Sequence, residues 1–263
     1  MDDHAHAPGH REHEPGDVLL EARGVSFAYG RTAVLQDVDL AIRAGEFVAL
    51  VGPNGSGKST LLRVLLGRLA PTAGTVRLFG VPADRFADRA RLGYVPQRPV
   101  LDSEVPATLE EIVSAGRLAR RGWWRPLRQQ DRDAVGHALT SVGLDAMASR
   151  PLNELSGGQQ QRAFIARAFA SEPDLLLLDE PIAGVDAGSQ RRFRDSVTHL
   201  IRDHGAGVLL VSHELSAVAD VIDRVIVLKR RVLFDGTPSE LASSGVSLGI
   251  HEDDLPLWLE GLR

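Results

Sequence analysis

The clearest chemical pattern in the sequence runs from Gly52 to Ser59, in the order Gly-Pro-Asn-Gly-Ser-Gly-Lys-Ser. It satisfies G-x-x-x-x-G-K-[ST], in which glycines let successive backbone N–H groups point inward at phosphate oxygens. Lys58 would reach the β- and γ-phosphates of a nucleotide, and the Ser59 hydroxyl would ligate Mg²⁺. The alternative is a glycine-rich turn that binds nothing. Because an apolar run precedes the segment and a helical pattern follows it, we predict a phosphate-binding loop.

Two carboxylates, Asp179 and Glu180, follow the apolar run Leu175–Leu178. A buried strand that ends in a carboxylate would place it beside the phosphate loop, on the neighbouring strand. Asp179 would hold Mg²⁺, directly or through water, and Glu180 would polarise an attacking water as general base. The alternative is an acidic pair that caps the next segment. Together with the phosphate loop, the pair predicts a nucleotide hydrolase.

A third motif, Leu155-Ser-Gly-Gly-Gln-Gln-Gln-Arg162, leads into a helical stretch. Ser156 and the two glycines after it therefore mark a second helix N-terminus with free N–H groups suited to an anion. Ser156 comes 98 residues after Lys58 and lies in a predicted helical lobe. We expect it to lie too far from its own phosphate loop to serve that loop.

The elements that must position these motifs can be predicted from apolar patterning. The continuous apolar runs are typical of buried parallel strands, and the helical spacing after Lys58 gives the order strand, loop, helix. Thr108 begins the pattern of a helix start. The resulting βαβ order predicts an α/β fold with a mainly parallel sheet covered by helices. The predicted elements are a small antiparallel sheet within 18–50, strands at 47–51, 175–178 and 207–211, a mainly helical region at 98–170, a helix at 189–202, and two short strands within 225–236, followed by a polar, weakly structured tail.

Composition limits the function classes. The 263 residues carry a net charge of −5 and a sequence pI of about 6.0, which argues against a general nucleic-acid binder. The absence of cysteine excludes disulfides and thiolate metal sites. We expect no signal peptide, because the first fifteen residues are polar, and no membrane-spanning run. Any membrane role would then come through a partner.

The sequence resembles the nucleotide-binding subunit of ATP-binding-cassette (ABC) transporters over about residues 18–240. Besides the three motifs, Tyr29 matches the aromatic that stacks on adenine, and Gln97 matches the glutamine that joins the Mg²⁺ and water shell. Asp186 ends the loop after Glu180, and His213 matches the histidine near the γ-phosphate. Taken singly, Tyr29 could be a core or edge aromatic, Gln97 a turn residue and His213 a satisfied histidine.

The resemblance implies a P-loop ABC ATPase domain with an N-terminal antiparallel β-subdomain and an inserted helical lobe. It implies domain boundaries at 1–16 (disordered His-rich tail), 17–240 (ATPase domain, lobe about 98–170) and 241–263 (C-terminal tail). Glu180, His213 and Lys58 would be catalytic, and Ser59, Gln97 and Asp179 would hold Mg²⁺. The residues expected to bind ATP are Tyr29, Gly52, Pro53, Asn54, Gly55, Ser56, Gly57, Lys58, Ser59, Thr60, Gln97, Ser156, Gly157, Gly158, Gln159, Asp179 and Asp186.

The resemblance also implies partners. Two copies would form a head-to-tail dimer in which Ser156–Gln159 of one copy closes on ATP held by the other. The dimer would drive a separate transmembrane permease at the cytoplasmic face of the membrane, and its motion would be transmitted to the permease through the Gln97 region. We expect an extracytoplasmic metal-binding protein as a further partner and no nucleic acid.

Three features favour a divalent metal ion, zinc or manganese, as the transported cargo. The Gly184-Val185-Asp186 sequence, which replaces a common Ser-Ala-Leu-Asp, and the stretch after Gln97 both resemble the zinc and manganese importers. The first thirteen residues also contain His4, His6, His10 and His13, although chance histidines in a solvated leader are an alternative. An importer ATPase for an iron chelate or haem, and a soluble ABC ATPase without a transport role, are the rival functions.

An arginine-rich stretch, 117–132, contains Trp123 and Trp124. It would be either a membrane-proximal face, with aromatics and cations near headgroups or the permease, or a solvated connection whose tryptophans pack on the lobe. We prefer the solvated connection whose tryptophans pack on the lobe.

Overall fold

The computed structural model describes residues 13–97, 107–121, 124–181, 187–212, 215 and 217–244. The strands are β1 (Val18–Tyr29), β2 (Thr32–Arg43), β3 (Phe47–Val51), β4 (Ala73–Leu78), β5 (Val81–Pro82), β6 (Leu92–Val95), β7 (Leu175–Asp179), β8 (Gly207–Val211), β9 (Arg224–Lys229) and β10 (Arg231–Gly236). The helices are α1 (Lys58–Leu65), α2 (Leu109–Ser114), α3 (Leu118–Arg121), α4 (Gln129–Ser141), α5 (Gly157–Ala170), α6 (Ala187–His204) and α7 (Pro238–Ser243).

The N-terminal part forms a four-stranded antiparallel sheet in the order β2-β1-β4-β5. Its strands β1 and β2 alternate buried and more exposed residues over most of their length, as expected for a sheet with one face on the core. The predicted antiparallel sheet is therefore confirmed. It extends further along the chain than residue 50, because β4 and β5 were not predicted.

A six-stranded sheet in the order β10-β9-β3-β8-β7-β6 forms the centre of the molecule. β3 pairs in parallel with β8 and β9, and β7 pairs in parallel with β6 and β8, whereas β10 is antiparallel to β9. The mainly parallel sheet is confirmed, but one detail of the prediction is wrong. The strand that ends in Asp179 is not the neighbour of the phosphate-loop strand, because β8 is inserted between them.

Both faces of this sheet are buried, which explains why its strands are continuous apolar runs. In β3, Phe47, Ala49 and Val51 pack in the cluster that includes the helical lobe and α6. Val48 and Leu50 pack in the opposite cluster, with α1 and the antiparallel sheet. The ends of the parallel strands are thereby held at one fixed edge, from which the loops of the site emerge.

The helical lobe comprises α2 to α5, and its helix α2 begins at the predicted helix start. The side chain of Thr108 accepts a hydrogen bond from the backbone of Glu111, and the Glu111 side chain accepts one from Thr108 in return. At the other end of α2, the buried Arg117 donates to Asp131 Oδ1 (2.9 Å) and to Glu172 Oε2 (2.8 Å). This buried ionic group fixes the lobe to the segment that leads into β7.

Three peripheral segments differ from the sequence-based interpretation. The indole of Trp124 is 92% exposed, so it does not pack on the lobe. Helix α7 occupies part of the predicted weakly structured tail, buries Leu241, and spans the predicted boundary at residue 240. His13 stacks on Phe79 with 5.8 Å between ring centroids, and its Nε2 lies 3.4 Å from Asp174 Oδ2, so this end of the predicted leader contacts the domain.

Candidate functional site

The phosphate loop connects the end of β3 to the start of α1, and its backbone requires glycine. At Gly52, where φ is +154°, a Cβ atom would lie 2.1 Å from the carbonyl oxygen of Leu228 at the end of β9. At Gly57, where φ is +105°, it would lie 3.0 Å from the Val34 carbonyl oxygen. Side chains at these positions would collide with neighbouring backbone, so the glycine spacing has a steric cause as well as the predicted phosphate-binding one.

Lys58 is the first residue of α1, and its side chain folds back over the loop. It is buried, and its Nζ donates to the carbonyl oxygens of Gly52 (2.6 Å) and Pro53 (3.1 Å). Burial lowers the pKa of Lys58, while the carboxylates of Glu180 and Asp179 oppose that shift. The ammonium group therefore lies among backbone carbonyls, close to both predicted acids.

The beginning of α1 carries no side-chain cap. Its N-cap residue is Gly57, in the left-handed conformation, and no side chain bonds the first turn. The first N–H groups of a helix have no partner within the helix, so this end offers donors and the positive end of the dipole to an anion. Ser56 Oγ is buried and, within the part of the chain that the structure describes, has no hydrogen-bond partner.

Asp179 and Glu180 stand at the end of β7, on the same edge of the sheet as the loop. Asp179 is buried, and its pKa is raised to about 6 by that burial and by the charge of Glu180, with Lys58 and Arg63 opposing. Glu180 has a positive φ of 49°, and its N–H donates to the Val211 carbonyl oxygen at the end of β8 (2.8 Å). This bond joins the Glu180 backbone to β8, the strand that lies between β3 and β7.

Gln97 follows β6, which pairs with β7 at the edge of the sheet. Its Nε2 donates to Glu180 Oε2. The structure thus brings Gln97 and Glu180 together, although they are 83 residues apart. The resemblance assigned Gln97 to the Mg²⁺ and water shell, with a turn residue as the alternative. The strand β6 before it was not predicted, because four residues are too few for a clear pattern.

Ser156 caps the N-terminus of α5. Its Oγ accepts from the N–H of Gln159 (3.3 Å), and Gln159 Oε1 accepts from the N–H of Ser156 (2.8 Å). Gln159 also reaches Met147 of the same lobe (3.5 Å). The first two N–H groups of α5 belong to Gly157 and Gly158, both exposed, and they have no acceptor within the helix. The predicted helix start is confirmed.

Tyr29 ends β1 and is 48% exposed, with its ring edge-on to Phe27 at 4.9 Å between centroids. An exposed aromatic beside a loop is available for stacking. Two predicted residues, Asp186 and His213, lie outside the described residues, as do His4, His6, His10 and Trp123. Among the residues that are described, no group of three or more His, Asp or Glu side chains is arranged to hold a metal ion. No helix in the same set is both long enough and apolar enough to cross a membrane.

Comparisons with known proteins agree with this geometry. Residues 35–183 match the family described as ABC transporter. The chain is 40% identical to the zinc uptake system ATP-binding protein ZurA of Listeria innocua, over 84% of this chain and 87% of that protein. It is 37% identical to the manganese transport system ATP-binding protein MntB of Bacillus subtilis, over 83% and 86%.

The fold has solved counterparts. A bacterial ABC transporter cassette whose structure is described as dimeric superposes with a TM-score of 0.72 at 28% identity, covering 83% of this chain and 98% of that one. The family match covers more than half of the 263 residues, and the chain therefore belongs to the ABC transporter family.

Proposed function

We propose that this chain is the ATP-hydrolysing subunit of an importer for a divalent metal ion, zinc or manganese. The observation that carries the hydrolytic part is the meeting of Lys58, Asp179 and Glu180 at one edge of the sheet, in a family that hydrolyses ATP to drive transport. The cargo is supported by the relatives named for zinc and manganese. It is supported further by the resemblance of the Gly184–Asp186 sequence to that branch.

The residues of the phosphate loop would hold the triphosphate. The open N–H groups of the loop and of α1 would donate to phosphate oxygens, and Lys58 would exchange its two carbonyl acceptors for the β- and γ-phosphates. Tyr29, half exposed, would stack on the adenine. Binding would thus use backbone N–H groups and Lys58 for the phosphates and one ring for the base.

The oxygen-rich end of β7 fits Mg²⁺. Asp179 is a buried carboxylate whose pKa is raised by its burial and by the charge of Glu180, and hydroxyl and carboxylate oxygens are the ligands that Mg²⁺ prefers. Asp179, Ser59 and Gln97 would hold the ion, which when bound would neutralise charge on the phosphates. The proposed ligands are all oxygen donors, as Mg²⁺ requires.

Glu180 would act as the general base. Its backbone is fixed by the bond to Val211, and its carboxylate accepts a hydrogen bond from Gln97. Gln97 thereby orients the carboxylate, and a displacement of the Gln97 segment by the permease would change the position of the base. His213 would steady the γ-phosphate, and Asp186 would contact the second subunit; both roles rest on the resemblance.

The site would be completed by a second copy. The N–H groups of Gly157 and Gly158 are exposed at a capped helix start, and the side chains of Ser156 and Gln159 bond within their own lobe. Such a surface suits the γ-phosphate held by another chain. We infer a head-to-tail dimer, bound to a permease at the cytoplasmic face of the membrane, with a metal-binding protein on the other side.

The test of hydrolysis is the isosteric Glu180→Gln variant. We expect it to bind ATP with wild-type affinity, to lose at least about 100-fold in turnover, and to accumulate as a nucleotide-bound dimer in size-exclusion chromatography. Turnover near the wild-type rate would remove Glu180 as the base. The cargo is tested by reconstituting the subunit with its permease and measuring ATP-dependent uptake of Zn²⁺, Mn²⁺ and a ferric chelate into vesicles. Uptake of the chelate alone would contradict the metal-ion assignment.

A further inference from the structure

The turn between β9 and β10 consists of three consecutive cations, Lys229, Arg230 and Arg231, named here the basic turn. Lys229 and Arg231 pair across the hairpin, and all three residues are exposed. Arg230, at the tip, has a φ of +63°. A non-glycine residue in this region costs about 1 kcal/mol that glycine would avoid. The arginine therefore occupies a position where the backbone alone favours glycine.

The basic turn is joined directly to the phosphate loop. The N–H of Arg230 donates to the Ser56 carbonyl oxygen (2.9 Å), inside the Gly52–Ser59 loop. Leu228, the residue before the basic turn, has the carbonyl oxygen that would lie 2.1 Å from a Cβ atom at Gly52. On its other side, Arg231 Nη2 donates to Gln36 Oε1 (3.2 Å). The backbone of the basic turn is thus held directly against the phosphate loop.

In the described parts of the chain, no Asp or Glu side chain forms a salt bridge with Lys229, Arg230 or Arg231. Exposed cations of this kind contribute little to folding stability. The chain as a whole has a net charge of −5, whereas the basic turn beside the phosphate loop carries three positive charges that no described acid pairs.

We infer that the basic turn attracts the nucleotide triphosphate to the phosphate loop and so raises its association rate, an inference that rests on the proposed ATP binding. ATP is a polyanion, and charges of one sign around a site raise the local concentration of the oppositely charged ligand. The Debye length is about 8 Å at physiological ionic strength, so only charges adjacent to the site act on it strongly. The turn acts on capture and takes no part in hydrolysis.

The experiment uses the full chain and a fluorescent ATP analogue, mant-ATP, in stopped-flow mixing. The test variant is the triple change Lys229→Gln, Arg230→Gln and Arg231→Gln. The control is Arg85→Gln, Arg191→Gln and Arg202→Gln, which changes the net charge equally at exposed positions. We expect the test variant to associate about five- to tenfold more slowly at 20 mM NaCl, with the difference lost near 0.5 M. Its dissociation rate should stay at the wild-type value.

Equal association rates for the test and control variants would overturn the inference while leaving ATP binding intact. A wild-type chain that fails to bind mant-ATP would overturn the proposed function as well. Should the triple variant fold poorly, Arg230→Gly provides the second measurement, because glycine suits the positive φ of the turn. It should unfold at or above the wild-type temperature and still associate about twofold more slowly at low salt. A wild-type rate from that folded variant would also contradict the inference.

Discussion

Two helix starts in this molecule, both proposed above to bind phosphate, are built in opposite ways. The start of α1 has a left-handed glycine as its N-cap, no side-chain cap, and the buried Lys58 in its first position. The start of α5 has a complete capping box between Ser156 and Gln159, and its glycines are exposed. The start of α1 is shaped by its backbone conformation, without a side-chain cap. The start of α5 has regular helical geometry, which the side chains of Ser156 and Gln159 stabilise.

The difference teaches what each start needs from its surroundings. The α1 start depends on tight contacts, because Gly52 and Gly57 lie against backbone oxygens of β9 and β2. The glycines of the α5 start have open space around them, since Cβ atoms at Gly157 and Gly158 would meet nothing within 4 Å. Under the proposed function, the phosphate site at the α1 start is complete within one chain. The α5 start is a preformed surface that meets its ligand only in the dimer.

The strongest way to break this comparison is Lys58→Ala. Each charge-assisted hydrogen bond to a phosphate contributes about 1.5–3 kcal/mol, so the loss of two should weaken ATP binding by about 100-fold or more. Equilibrium titration with mant-ATP measures it. Ser156→Ala is the matched control, and it should bind nucleotide as the wild type does in the monomer. Unchanged affinity for Lys58→Ala would remove the phosphate-loop interpretation.

A pair of glycine substitutions sharpens the steric half of the comparison. Gly52→Ala should lower the free energy of unfolding by about 3 kcal/mol, because its Cβ would lie 2.1 Å from the Leu228 carbonyl oxygen. Gly158→Ala, at an open helix position, should stay within about 0.5 kcal/mol of the wild type. Urea unfolding of the two variants gives both values. Equal losses would show that the two starts are not packed differently.

The acid next to the α1 start predicts a pH-dependent effect. Because the pKa of Asp179 is raised from 3.8 to about 6, its ionised form destabilises the nucleotide-free protein, and stability falls as the pH rises through that window. Asp179→Asn should therefore increase the free energy of unfolding at pH 7.5 by about 1 to 3 kcal/mol. The gain should shrink towards pH 4. A variant less stable than the wild type at pH 7.5 would contradict the raised pKa.

The smallest effect concerns the α5 cap. Ser156→Ala should cost about 1 kcal/mol of stability and reduce ATP-dependent dimerisation in the Glu180→Gln background, because the helix start would fray. Thr237→Ala is the control, since it removes an equivalent capping box from α7. It should lose similar stability without affecting the dimer. If both variants dimerise equally, the α5 start does not meet the second subunit.

Local pattern predicted much of this fold. The strands at Phe47–Val51 and Gly207–Val211 and the caps at Thr108 and Ser156 follow from apolar runs and capping chemistry, which are read from adjacent residues. The insertion of β8 between β3 and β7 could not be read in this way. Strand order depends on pairing between distant segments, and a buried run is compatible with any central position in the sheet.

The site shows the same division. Sequence motifs identified Lys58, Asp179 and Glu180, yet the contact between Gln97 and Glu180 depends on the pairing of β6 with β7. The exposure of Trp124 and the helix α7 were likewise missed, because a tryptophan favours burial on average and a six-residue helix has almost no periodic signal.

The position of His13 determines how the protein can be attached to a surface. His13 contacts Asp174, just before β7, whereas Asp179 and the phosphate loop lie at the opposite end of that strand. Five residues of strand separate the two ends by about 16 Å. A tether fused before His13 would leave the chain at the edge of the sheet remote from ATP. Molecules immobilised through such a tether would present the edge of the sheet that carries the phosphate loop to solution.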